Sequence, residues 1–249
     1  MIAALKRHPI PIQAFLDYSL VLTYAFPKAV LEPLLPPGLQ LDVYGDFGFL
    51  AIALVQTRGL RPVGTPAFLG RDFFLSGYRV FARRVRPNGQ ILRGLRILRS
   101  DTDSRLMTLA GNALTHYNYQ HCDVRSSRSG GILHLDIRTP RSVADLSLQA
   151  YVGGDAAVLP RASPFPDWKT ARHFAGPLPF TFDYEASTHS LVIIEGVREN
   201  WLPRPVHVAV NKATFFDDSR FAASKPLLAN AFFIERIPYR WKKGVREPL

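Results

Sequence analysis

Cysteine is nearly missing: Cys122 is the only one in 249 residues. That excludes an intrachain disulfide and a four-cysteine zinc site, so nothing calls for an oxidising compartment and a cytoplasmic home is expected. Long apolar runs are missing too. The most apolar early stretch, Phe15 to Phe26, carries Asp17 and falls far short of the ~20 residues a spanning helix needs. Lys6 and Arg7 are followed at once by Pro9 and Pro11, with no apolar run closed by a cleavage site, so the reading is a soluble, unprocessed chain. There is no Gly-x-Ser-x-Gly elbow, no Gly-x-Gly-x-x-Gly and no Gly-x-x-x-x-Gly-Lys-Ser/Thr. Local sequence thus supports neither a serine nucleophile nor a nucleotide cofactor, and no cofactor is expected. Lysine is scarce, 7 against 24 arginines, and acids number 20 against 31 Lys plus Arg, for a net charge of +11.

What is present points to a packed domain. Hydrophobic residues make up 47% and charged residues 20%, too apolar a mixture for disorder, and residues 1–249 read as one domain with no internal repeat. Twenty prolines favour short elements and rigid turns over long helices. Phe15 to Phe26 reads as a strand, followed by a short helix stopped at Pro36-Pro37-Gly38. Phe47 to Thr57 is apolar on both faces and belongs in the middle of a core. From Asp103, which is placed to cap it, a helix presents Leu106, Leu109, Ala110, Ala113, Leu114 and Tyr117 on one apolar face. Gly111 within it points to close packing. Further strands follow at Tyr119–Arg125, Ile132–Arg138, Leu146–Val152, Pro179–Glu185, Leu191–Val197, Pro205–Thr214 and Ala229–Tyr239, with a short helix near Asp167 to Phe174 and a basic tail around Lys242-Lys243. Strands outnumber helices.

The clearest local signal is a hairpin over Tyr78 to Arg99, turning at Asn88-Gly89, the mark of a type I′ turn. That turn sets Arg84 opposite Arg93, Phe81 opposite Arg96 and Arg79 opposite Leu98. Eight arginines fall between Arg79 and Arg105 with only Asp101 and Asp103 beside them. Like charges across a hairpin are unfavourable, so these arginines need counter-charges: solvent ions, carboxylates from elsewhere, or a bound anion. Arg79, Arg83 and Arg96 are the candidate anion clamp; a solvated basic edge that blocks strand pairing is the alternative. His116, His121, Cys122 and Asp123 lie close in sequence but match no zinc spacing, and no metal site is expected.

The order of parts resembles the acetoacetate decarboxylase-like superfamily, most closely its uncharacterised YqjF-type branch. The resemblance rests on Leu22-Thr23-Tyr24, Leu34-Leu35-Pro36-Pro37-Gly38-Leu39, Arg58-Gly59-Leu60-Arg61-Pro62, the strand Arg96 to Ser100 with Asp101, the helix Leu106 to Thr115 running into Tyr117-Asn118-Tyr119-Gln120-His121, and Glu199-Asn200-Trp201-Leu202-Pro203-Arg204-Pro205. It implies an α+β fold, a large antiparallel β-barrel or cone with a few short helices, enclosing a cavity for a small carboxylated or ketone-like ligand. In the decarboxylases the helix matching Leu106 to Thr115 runs into adjacent lysines, one of which forms a Schiff base with a β-keto acid. Tyr117 to His121 contains no lysine, so acetoacetate decarboxylase activity is not expected, and Tyr117, Tyr119 and His121 stand in that corner as candidate acid–base groups. Two other functions remain open: binding of a polyanion, either nucleic acid or an anionic membrane surface, and a lysine-dependent decarboxylation with the amine relocated, Lys212 being the candidate. A homo-oligomer is compatible with either.

Overall fold

The computed structural model describes residues 5–154, 158–176 and 178–249. Its frame is a large sheet built from β1 (Ile12–Pro27), two short strands β2 (Gln40–Leu41) and β3 (Val43–Tyr44), β4 (Phe47–Pro62), β5 (Arg71–Val85), β6 (Ile91–Thr102), β7 (Tyr119–His121), β11 (Phe180–Glu185), β12 (Ser190–Arg198), β13 (Arg204–Pro205), β15 (Leu227–Trp241) and β16 (Val245–Pro248). Along the order β15-β1-β4-β5-β6-β11-β12 the ladder returns to its start, because β12 also pairs β15 through Gly196↔Trp241, Val197↔Arg240 and Arg198↔Tyr239. The result is a cone-like ring, antiparallel except where β6 runs parallel to β11 and to β7. A second, four-stranded antiparallel sheet holds β8 (Asp123–Ser129), β9 (Ile132–Arg138), β10 (Leu146–Tyr151) and β14 (His207–Ala213). Among the described residues lie three short α-helices, α1 (Lys28–Leu31), α2 (Arg105–Leu114) and α3 (Trp168–Ala175), the last capped by Asp167 accepting from the Thr170 amide at 2.7 Å. None of them is long and apolar enough to cross a membrane.

Strands with apolar residues on both faces explain the layering. Successive side chains on a strand point to opposite sides. Leu20, Leu22, Leu50, Ile52, Leu54, Tyr78 and Val80 form one buried cluster with Leu133, Leu135, Leu146 and Leu148 of the second sheet. The intervening residues face into the ring, and many are small: Ser19, Ala51 and Ala53. Large outward and small inward side chains therefore leave a hollow within the ring.

The structure corrects several expectations. The β5–β6 turn is a three-residue loop: the Gly89 amide donates to Arg86 O and the Arg86 amide to Gln90 O, both at 2.9 Å, and Gly89 has φ +81°. Pro87 suits the second position of a type I turn, and Asn88 keeps a negative φ, which type I′ forbids. Arg79 therefore faces Ile97, Phe81 faces Leu95, Arg83 faces Arg93, and a bulge between Tyr78 and Arg79 absorbs the slip. That register puts Leu95 and Ile97 on the inward face with Arg79 and Phe81. The helix cap is Ser104, accepting from the Met107 amide at 3.2 Å, while Asp103 accepts from the Phe74 amide at 2.8 Å. Leu106 and Leu109 are exposed, and α2 buries Gly111 instead. Tyr119 rests on Gly111, where a Cβ would collide with its ring. The basic tail is structured: β16 pairs with β12, and Lys242 meets Glu195 at 2.9 Å.

Candidate functional site

The hollow is a cavity of about 150 Å³, the size of one that holds a benzene-sized molecule. Its walls are mostly aliphatic and aromatic. Among the described residues only two lining side chains are permanently charged, Arg79 and Arg198, and none is Asp, Glu or Lys.

Arg79 enters from the middle of β5. Two residues earlier Gly77 leaves the space its guanidinium occupies: a Cβ there would stand 2.8 Å from Arg79 Nε and 2.9 Å from Nη2. Nε is buried without a hydrogen-bond partner, and no carboxylate among the described residues forms an ion pair with Arg79. Burial pulls its pKa below the ordinary arginine value, partly offset by the hydroxyls of Tyr239, Tyr119 and Tyr117. A desolvated charge normally carries a partner in a folded protein. This one faces a cavity instead.

Arg198, at the end of β12, is steered by its neighbours. Nη2 donates to Leu178 O at 2.9 Å and Nη1 to Tyr239 Oη at 3.4 Å, while the guanidinium lies 4.7 Å from the Trp201 ring centroid and 5.4 Å from that of Tyr239. Tyr239 in turn packs against Trp241, the rings tilted by 40° with centroids 4.3 Å apart.

Tyr117 and Tyr119 follow α2, and both line the cavity, with ring centroids 6.2 Å apart. Asn112 clamps the backbone between helix and strand, accepting from the Tyr119 amide and donating to Tyr119 O, both at 2.8 Å. The Tyr117 hydroxyl, with Thr181 beside it, makes no well-formed hydrogen bond. Burial pushes both phenols above their ordinary pKa, so near neutrality they are proton donors and not bases. Four lining residues present a buried polar atom without a partner: Arg79 Nε, Tyr117 Oη, His8 Nδ1 and Trp201 Nε1. Such atoms are rare, and each calls for an explanation. These four belong to residues that line one cavity, while others among the described residues, on Thr23, Ser76, Arg84, His116, Asp183 and Asn230, lie elsewhere.

Of the residues singled out from sequence, the structure brings Arg79, Tyr117 and Tyr119 together and leaves the others apart. Arg83 donates to Gln40 Oε1 at 3.2 Å and does not line the cavity. Arg96 ends on Asp183 at 2.6 Å, where burial pushes the carboxyl up to about 6 against the pull of Arg96. His121 lies in a separate groove with Asp103, Cys122 and Asp123. Burial holds the Cys122 thiol up at about 12, and no group of three or more His, Cys, Asp or Glu side chains among the described residues is arranged to hold a metal ion. Arg198, Trp201 and Tyr239 escaped the sequence reading. Only Trp201 had a signal, the tryptophan and proline segment that begins at Glu199.

The N-terminal segment reaches the cavity wall at His8, whose amide donates to Leu114 O and whose carbonyl accepts from the Gly244 amide, both at 2.9 Å. Arg7 donates to Glu185 through Nε at 2.7 Å and Nη2 at 2.6 Å, and Arg7 holds the Glu185 carboxyl down at about 2. A depressed carboxyl stabilises the fold above its unfolded pKa and loses that contribution as pH falls through the folded value. Stability of the wild-type chain should therefore drop between about pH 4.5 and pH 2, and Glu185→Gln should flatten that part of the profile. Urea unfolding midpoints across this range measure it; identical slopes for both proteins would contradict the assignment.

The chain aligns with proteins of this architecture. An acetoacetate decarboxylase-like enzyme from Sphingomonas wittichii RW1 superimposes with a TM-score of 0.62 at 14% identity, covering 96% of this chain and 92% of the other. Acetoacetate decarboxylase from Legionella pneumophila gives 0.63 at 11% identity, with 96% and 88% covered. The enduracididine biosynthesis enzyme MppR complexed with pyruvate gives 0.60 at 12% identity, with 96% and 90% covered. At such identities the likeness establishes the fold. No curated protein sequence matches the chain, but a family model, DUF2071, described as an uncharacterized conserved protein, matches residues 14–235. The chain belongs to the DUF2071 family of uncharacterized conserved proteins, and its fold is that of acetoacetate decarboxylase-like proteins.

Proposed function

We propose that the cavity binds a small carboxylated molecule, with or without a keto group, and holds it without an imine. The observation that carries this reading is Arg79, a half-buried arginine that lines an apolar hollow, whose Nε is buried without a hydrogen-bond partner and which has no carboxylate partner among the described residues. A ligand carboxylate supplies the missing charge, and charge-assisted hydrogen bonds in a dry site are the strong ones. Tyr117 and Tyr119, kept protonated by burial, are placed to donate to a carbonyl or carboxylate oxygen. An imine needs an amine, and no described lining residue is a lysine. Lys212 sits on β14 of the other sheet, 2.7 Å from Asp145.

The hairpin arginines no longer argue for a polyanion surface. Arg86 and Arg84 meet Glu247, Arg93 meets Asp42 at 2.7 Å, Arg96 meets Asp183 and Arg99 meets Asp101 at 2.7 Å. Carboxylates distant in sequence supply most of the counter-charge that the hairpin lacks locally.

Calorimetric titration with butyrate, pyruvate and the neutral butyramide tests the proposal. Both acids should bind and the amide should not. Borohydride added with acetoacetate should leave the protein mass unchanged. Equal binding of the amide would remove the role given to Arg79, and a reduced adduct on any lysine would overturn the imine-free reading.

A further inference from the structure

The cavity holds two cations and no anion. Arg79 and Arg198 both line it, no described lining residue is acidic, and Arg198 lowers the pKa of Arg79 by like-charge repulsion. A monocarboxylate that settles on Arg79 leaves the second guanidinium uncompensated. Arg198 has donors to spare: Nη2 is committed to Leu178 O, Nη1 makes only the 3.4 Å contact with Tyr239, and no ion pair involves this residue among those described. Trp201 and Tyr239 flank its flat faces, which leaves the edge of the fork, where a carboxylate docks in the plane. Apolar side chains such as Leu75, Ile97 and Phe232 line the same space. Two cationic anchors in one small apolar cavity fit a short diacid with methylene groups between its carboxylates.

We propose that the preferred ligand is a dianion, a small dicarboxylate, and that Arg198 is the residue that reads its second carboxylate. This rests on the carboxylate-binding reading above and adds a selectivity that the reading does not require. Arg198 is then a specificity determinant, while Arg79 supplies binding common to all acids.

Glutarate and its monoamide, glutaramate, are matched in size and shape and differ by one charge. Titrated into the wild-type chain, glutarate should bind about tenfold to a hundredfold more tightly, the range of a charge-assisted contact. Arg198→Gln should bring that ratio to about one by weakening glutarate far more than glutaramate, and Arg198→Lys should restore part of the preference. Equal affinities in the wild type would overturn the inference while leaving carboxylate binding intact, a result independent of how any variant folds. If Arg198→Gln weakens both ligands equally, Arg198 only braces Trp201 and Tyr239, and the inference fails. Loss of all binding by both acids in the wild type would instead sink the underlying reading.

Discussion

Arg79→Met is expected to raise thermal stability and abolish carboxylate binding in one step. Methionine is unbranched and fills irregular space without needing a polar partner, so it removes a buried charge that nothing in the protein compensates. Replacing even a paired buried charge with apolar side chains ranges from neutral to stabilising by about 1 to 4 kcal/mol, and Arg79 has no pair to lose. For a domain of this size each kcal/mol moves the melting temperature by about 2 to 4 °C, so an upward shift on the order of 5 °C is expected without ligand. Removing one partner of a desolvated charged contact costs about 2 to 5 kcal/mol, which weakens butyrate or pyruvate at least ~30-fold. Opposite signs for stability and binding mark a residue kept for a ligand. Differential scanning calorimetry with and without butyrate measures both. A variant that loses stability would show that Arg79 braces the ring, contrary to this account.

Gly94→Val should be the most damaging single change to the frame. Gly94 lies at the parallel β6–β11 junction opposite Phe180, and a Cβ there would stand 2.8 Å from the Phe180 carbonyl carbon and 2.7 Å from Phe182 Cε2. Backbone cannot move aside as a side-chain tip can, so the strain goes into the junction that links the two halves of the ring. The expected loss is about 3 kcal/mol, the upper end of ordinary overpacking, or a melting temperature lower by about 10 °C. Gly196→Ala offers the contrast. Its Cβ would meet the Tyr239 hydroxyl, the end of a side chain that can swing away, so stability should fall less while the support of Arg198 is disturbed. If both variants melt alike, close backbone approach at Gly94 is not what holds the junction.

The frame was legible in the sequence where local chemistry decided it. Phe47 to Thr57 is apolar on both faces because β4 lies between the cavity and the second sheet, and Gly111 marked the close approach of Tyr119. The hairpin was legible, but its register was not: Pro87 selects a type I turn followed by Gly89, and that one-residue difference decides which side chains join Arg79. Arg79 could be named from sequence because it belongs to a run of hairpin arginines interleaved with Phe81 and Leu98. Arg83 and Arg96 carried the same local signal, yet Gln40 and Asp183 satisfy them, and such partners are set by chain topology. The other half of the site was hidden for the same reason. Arg198 and Tyr239 meet only because β12 and β15 close the ladder, a pairing of distant segments that no local pattern announces. His121 lies at the far end of β7, in the groove beside Cys122.

The most direct test of the account is a crystal structure of the protein soaked with butyrate. The account predicts a carboxylate inside the ring, with an oxygen within hydrogen-bond distance of Arg79 and the alkyl chain against Leu75 and Ile97. Butyrate found only on surface arginines, with Arg79 still unpaired in an otherwise unchanged cavity, would contradict it.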